Sequence, residues 1–223
     1  MDLTGIDYLG FDRVIKRGTA EILEQDDDVL LLFDTVSKAY MMACDDTALG
    51  IEALDRHLSK NPELMTLPNL ELGDAAYERY GYHEKMVCYQ AAYYGKAPAL
   101  DDRLSVRQAI EDDLPMLMAN YDLISREEMQ GNIQRGTVYI GENDGKPVGF
   151  IGEHTEGSIG MLFVFPEYRH NGFAESLEKY MFAKTIKEGY IPFGQIVEGN
   201  DASLNLQKKL GLTISDNKVM WLW

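Results

Sequence analysis

Residues 165 to 176, "FPEYRHNGFAES", form the junction that most constrains this chain. An apolar run (Ile159, Met161, Leu162, Phe163, Val164) stops at Pro166, presents Arg169, His170 and Asn171, turns on Gly172 and then starts a helix. Amides at a helix start, behind a glycine that lets a ligand approach the backbone, make a seat for phosphate. The plainer reading is a strand-to-helix turn that uses Gly172 for its dihedral angles.

The flanking pattern fits a mixed α/β sheet. Upstream, Leu104 to Gln108 alternates as a short strand, and Asp112 or Asp113 with Pro115 starts a helix through Tyr121. Ser125 and Glu128 form a capping-box pattern for a second helix that ends at Gly136. Thr137 to Gly141 and Pro147 to Gly152 read as a hairpin turning around Asn143-Asp144-Gly145, and a third strand runs from Ser158 to Phe165. The helix from Phe173 turns Phe173, Leu177, Tyr180 and Met181 inward and Glu175, Glu178 and Lys179 outward, and it stops at Gly189. "IPFGQIV" is a strand, Asn200 to Gly211 a helix and "KVMWLW" a last strand. The order β-α-α-β-β-β-α-β-α-β predicts helices on both faces of the sheet.

The stretch 93–113, with Gly95 and Pro98, is the best boundary, which predicts domains at 1–100 and 101–223. The first half repeats part of the later plan. Residues 29–46 resemble 138–154, and residues 75–93 resemble 204–223. The first domain is thus expected to be a smaller, degenerate copy. After "MMACDD" it has no Arg-x-x-Gly turn, so it lacks the phosphate seat.

Charge narrows the partners. Twenty-one basic residues against 37 acidic ones give a net charge of −16, which disfavours nucleic acid and favours a cationic partner such as an amine. No apolar run approaches the roughly 20 residues of a membrane span. The acidic start "MDLTGIDYLGFDR" does not look like a leader, so a cytoplasmic protein with no membrane partner is expected. Cys44 and Cys88 are expected as free thiols. His57, His83, His154 and His170 lack metal-site spacing, and neither a dinucleotide fingerprint nor a P-loop is present.

Two motifs carry a family resemblance over residues 104–223. Val164-Phe165-Pro166-Glu167-Tyr168-Arg169-His170-Asn171-Gly172-Phe173-Ala174 is the first, and Asn200, Ser203, Lys209, Gly211 and Leu212 make up the second. Together they resemble the GNAT superfamily of acetyl-CoA-dependent N-acyltransferases, in style nearest its glycine N-acyltransferase-like members. The resemblance implies the GNAT acyl-CoA N-acyltransferase fold. It also implies transfer of acetyl from acetyl-CoA, as donor substrate with no metal, to a primary amine of a small molecule or amino acid. Coenzyme A would be held by Leu162, Phe163 and Val164 along a splayed strand and by the amides from Arg169 through His170, Asn171, Gly172 and Phe173 to Ala174. Asn200 and Ser203 would act from the far side, and Asn200 also reads as a helix N-cap.

The chemistry departs from the family pattern. Where many members have a tyrosine acid, this chain has Gln207, and where related members have a glutamate base it has Ser158. Thiolate, with a pKa near 8.5, can leave unassisted. Glu156 is the expected base, followed by His154, while "GEHTEGS" also reads as a solvated turn. Glu198 is a further candidate for an ammonium. An N-acyltransferase and a non-catalytic acyl-CoA-binding or scaffolding protein both stay open, as does a homodimer.

Overall fold

In the computed structural model, residues 3–58 and 63–223 are described. Their contacts form two units, Met1–Ala92 with Gln195–Trp223 and Tyr93–Gly194.

The first unit is built on β1 (Ala20–Gln25), β2 (Val29–Asp34) and β3 (Ala39–Cys44), an antiparallel meander. Period-2 alternation sends neighbouring residues of β2 and β3 to opposite faces. Leu30, Leu32, Met41 and Ala43 pack on Phe11 and Val14 of α1 (Leu9–Arg17). Val29, Leu31, Met42 and Cys44 pack on Ala53 and Leu54 of α2 (Thr47–His57) and on Leu72 and Ala76 of α3 (Leu70–Tyr80). This two-sided burial explains why these strands read as near-continuous apolar runs. Strand β4 (Met65–Leu67) runs parallel to β3. A later strand, Thr213–Leu222, pairs antiparallel with both β4 and β5 (Lys85–Ala92). That pairing is why Gln195–Trp223 groups with the first unit. The strand is longer than the expected 218–223, with a register shift between Ile214 and Lys218. Cys44 and Cys88 are buried thiols, not joined in a disulfide.

In the second unit, β6 (Ser105–Gln108), β7 (Val138–Asn143), β8 (Lys146–Glu153) and β9 (Ile159–Val164) pair antiparallel in sequence order. One face carries α4 (Leu114–Asn120) and α5 (Arg126–Gln134), whose Leu117, Met129 and Ile133 pack on Val138, Ile140 and Phe150. Helix α6 (Phe173–Lys187) contacts β8 and β9. Its Glu178, expected outside, is only 4 % exposed. The apolar pattern of this helix does not stop at the four residues read from the sequence, and Glu178 falls on its packed side. Strand β10 (Phe193–Val197), α7 (Asp201–Lys209) and β11 (Thr213–Leu222) complete the chain.

The order β1-β2-β3-α2-β4-α3-β5 is met again as β7-β8-β9-α6-β10-α7-β11. Order therefore aligns 29–44 with 146–164, one strand later than the expected 138–154, because in each case the aligned hairpin leads directly into a helix. The pairing of 75–93 with 204–223 agrees with this order. Among the described residues, no helix is long and apolar enough to cross a membrane.

Candidate active site

Strand β9 is irregular where the sequence promised a plain strand. Its register against β8 shifts between the pairs Gly152↔Gly160 and Phe150↔Phe163, and Met161, 2 % exposed, has a φ of 53°. A bulge with a buried, left-handed, non-glycine residue is costly and persists only where its surroundings fix it. Here Asn132 Nδ2 of α5 points at Met161 Sδ, 3.7 Å away. Pairing of β9 with β10 is confined to Ile159↔Gly194, at the start of β9. Beyond the bulge lie Leu162, Phe163 and Val164, all half-buried.

The chain then enters a single 3-10 turn at Pro166–Tyr168. Arg169 is exposed but folded back: its Nε donates to the Val164 carbonyl at 3.1 Å, and its guanidinium lies 5.5 Å over the Phe163 ring. The Asn171 amide donates to the carbonyls of Tyr168 and Arg169 at 3.2 and 3.1 Å. His170 and Gly172 take left-handed φ values of 63° and 84°. Gly172 is the N-cap of α6, and no side chain caps that helix. Phe173 is buried and Ala174 half-buried in its first turn. By element order the counterpart of α6 is α2, where the Asp46 carboxylate accepts from the Leu49 amide at 3.0 Å. An anionic side chain thus occupies in the first unit what α6 leaves open.

A second cation stands at this helix start, one that the sequence reading missed. Arg103 donates to Asp101 through Nε and Nη2, at 3.0 and 2.7 Å, and Ser176 of α6 donates to the same carboxylate at 2.7 Å. The Arg103 guanidinium lies 5.6 Å over the Phe173 ring and donates to the Asn171 carbonyl at 3.4 Å. With Gly172, Ser176 and Lys179 it lines a cavity of about 340 Å³. Hydrogen bonds from Arg103 and then Ser176 hold the Asp101 carboxyl well below the usual carboxylate range. No periodic signal marks this arrangement, since 68 residues separate Arg103 from Asn171.

The turn from β8 to β9 holds the expected base. Glu156 lies outside the strand, in the turn itself. Ser158 donates its hydroxyl to Glu156 Oε1, and both residues are buried. The turn is therefore not the solvated one that "GEHTEGS" also allowed. His154 closes it by donating its amide to the Ser158 carbonyl at 2.8 Å, and its ring lies against Gly160, where any side chain would collide with it. Glu128 of α5 joins the group. Its amide is capped by Ser125 Oγ at 3.1 Å, as expected. Burial pushes its carboxyl up; His154 opposes this and Glu156 adds to it. Sequence reading assigned Glu128 only to the cap.

The remaining expected residues lie in the first unit. Asn200 caps α7 by accepting from the Ser203 amide at 3.1 Å, the plain role foreseen for it. Gln207 is buried on α7. Glu198 binds Lys218 at 2.6 Å, so its carboxylate already holds a cation of the chain itself. No group of three or more potential metal ligands is gathered among the described residues.

Residues 141–222 match the family model described as FR47-like protein. No curated protein matches the sequence significantly. In structure the chain is similar to a Drosophila protein, with 17 % identity and a TM-score of 0.69, over 98 % of this chain and 90 % of that one. It is also similar to a GCN5-related N-acetyltransferase from Kribbella flavida, with 11 % identity and a TM-score of 0.59, covering 97 % and 93 % of the two chains. A GCN5-related N-acetyltransferase-like protein from Streptococcus suis gives 14 % identity and a TM-score of 0.57, covering 96 % and 92 %. At such identities the likeness is one of fold, and the fold is that of GNAT N-acetyltransferases. The family match is confined to residues 141–222, whereas the likeness of fold extends over nearly the whole chain.

Proposed function

With the GNAT fold as the premise, we propose that this protein is an N-acetyltransferase moving acetyl from acetyl-CoA to a primary amine of a small molecule or amino acid. The observation that carries the reading is the uncapped, glycine-led start of α6 beside Arg169 and Arg103. A diphosphate there meets amide donors and a helix dipole worth roughly 0.3–1 kcal/mol. Residues His170 to Ala174 hold the phosphates, and the backbone of Leu162 to Val164 holds the pantetheine arm. The protein is expected to act in the cytoplasm, and residues 1–100 are read as a degenerate copy of 101–223.

Chemistry follows from the β9 side. Glu156, aimed by Ser158, takes a proton from the acceptor ammonium, with His154 as the second choice. The neutral nitrogen attacks the thioester carbon, a backbone N–H near Val164 meets the oxyanion, the C–S bond breaks and the thiolate leaves. The second proton of the nitrogen goes to the thiolate or to solvent. Gln207 and Ser158, standing where relatives have an acid and a base, favour one other reading: a protein that holds acyl-CoA without spending it.

Calorimetric titration of acetyl-CoA into wild type and Gly172→Glu tests the core of this proposal. Micromolar binding that disappears in the variant supports it. A wild type that binds nothing overturns it, and binding without turnover of any amine leaves the non-catalytic reading.

A further inference from the structure

Arg169 heads the turn that leads into α6, yet its side chain faces back along the chain. The turn holds itself together through other bonds. The Tyr168 amide donates to the Phe165 carbonyl at 2.9 Å, the Arg169 amide to the Pro166 carbonyl at 3.3 Å, and the Asn171 side chain closes onto Tyr168 and Arg169. The Arg169 side chain, itself exposed, grips the end of β9 instead. Its Nε donates to the Val164 carbonyl at 3.1 Å, and its guanidinium lies 5.5 Å over the Phe163 ring.

Strand pairing shows which way Val164 faces. Gly149 of β8 is the partner of Val164, and the next residue, Phe165, donates its amide to the Val148 carbonyl at 3.0 Å. Along an antiparallel pair, residues bonded to the partner strand alternate with residues whose N–H and C=O point the other way. Phe165 is bonded to β8, so Val164 turns both its groups to the opposite edge. That edge of β9 pairs with β10 only at Ile159↔Gly194. Arg169 takes the carbonyl there, and the N–H of the same residue points the same way.

We propose that Arg169 is a positioning residue for acetyl transfer: by holding the Val164 carbonyl, it fixes the Val164 N–H where the oxyanion forms. This rests on the acetyl-transfer reading and deepens it. As the acceptor nitrogen adds to the thioester carbon, the carbonyl electron pair moves onto oxygen, and the Val164 N–H donates to that oxygen. The pair then returns, C–S breaks and the thiolate leaves. Such a donor is worth most when it is held in place beforehand. Val164 is the last residue of β9, and the ends of an element open more readily than its middle.

Glutamine and methionine at this position separate the donor from the charge. Glutamine Nε2 stands at the same step of the side chain as arginine Nε, without the charge, whereas methionine has the length and no donor. Turnover of acetyl-CoA is followed with hydroxylamine, a small nucleophile that needs no base. Arg169→Met should lower kcat about tenfold, less than outright loss of an oxyanion donor costs. KM for acetyl-CoA, the thermal midpoint and the affinity for adenosine diphosphate, which carries the diphosphate without the arm, should stay as in the wild type. Arg169→Gln should recover most of the lost kcat. An unchanged kcat in Arg169→Met overturns the proposal, as does a glutamine variant no faster than the methionine one. Weaker adenosine diphosphate binding in Arg169→Met also refutes it, because Arg169 is then a phosphate ligand. So does a wild type that binds acetyl-CoA without speeding its reaction with hydroxylamine. Absence of acetyl-CoA binding overturns the acetyl-transfer reading itself.

Discussion

Asp101 holds Arg103 with two side-chain hydrogen bonds, of 3.0 and 2.7 Å, and Ser176 of α6 fixes Asp101 in turn. The guanidinium is therefore tied to the very helix whose start is open. Arg103→Ala should weaken acetyl-CoA binding only a few-fold, as suits an exposed cation. Calorimetry decides: unchanged affinity would mean that Arg103 only packs on Phe173.

Gly149 of β8 pairs with Val164 of β9. A methyl there would meet the Phe163 carbonyl and come within 3.0 Å of Val164 Cα, both backbone atoms that cannot swing aside. Gly149→Ala should destabilise the protein by roughly 1–3 kcal/mol. Because the displaced segment is Phe163–Val164, acetyl-CoA affinity should fall as well. Urea unfolding and calorimetry on the same variant report both effects.

Lys184 spans Glu153 and Glu188, at 3.0 and 2.9 Å, and Glu153 is buried. Burial alone would push the ammonium down, but Glu153 and Glu188 outweigh it and hold Lys184 above its usual range. Lys184→Met should cost roughly 2–4 kcal/mol, since it strips a cation from a buried carboxylate. Adding Glu153→Gln should restore part of that stability; a strictly additive double mutant would disprove the coupling.

Asp34 gives a pH dependence. Its carboxylate accepts from Arg17 Nη2 at 3.1 Å, from the Ser37 amide at 2.9 Å and from Thr19. Burial raises this carboxyl, but Ser37, Thr19 and the Arg17 charge outweigh burial and hold it below the usual carboxylate range. The folded state therefore binds this proton less readily than the unfolded chain, whose value is about 3.9. Asp34 stabilises fully above that pH, and its contribution is lost as pH falls through the lower folded value. Asp34→Asn should flatten the acid limb of a stability-versus-pH curve; an identical limb would rule Asp34 out as its source.

What could be read from the sequence was local. The α6 start announced itself through Pro166, Arg169 and Gly172, because a loop of fixed length needs particular residues at particular steps. Asn200 and the Ser125 cap followed the same logic. Glu128 and Arg103 were illegible because their roles depend on partners 26 to 70 residues away, which no local pattern encodes. The Met161 bulge was hidden for another reason: the sequence there offers methionine where the backbone takes a glycine's conformation. Glu156 was named from the sequence as the base, but the hydroxyl of Ser158 that holds it in place was not.

The position of β11 between β4 and β5 has a bearing on how the chain is made. The first unit has its meander, α1, α2 and α3 once Ala92 has been synthesised, yet β4 and β5 then lack the strand that joins them. That strand begins at Thr213, so the whole second unit emerges from the ribosome before the first can finish. Non-local pairing of this kind is slow to form. Until it forms, β4 and β5 offer open edges to other chains. A ribosome stalled anywhere in the second unit would carry a nascent chain prone to aggregate, whereas synthesis past Leu222 would let the first unit close around β11.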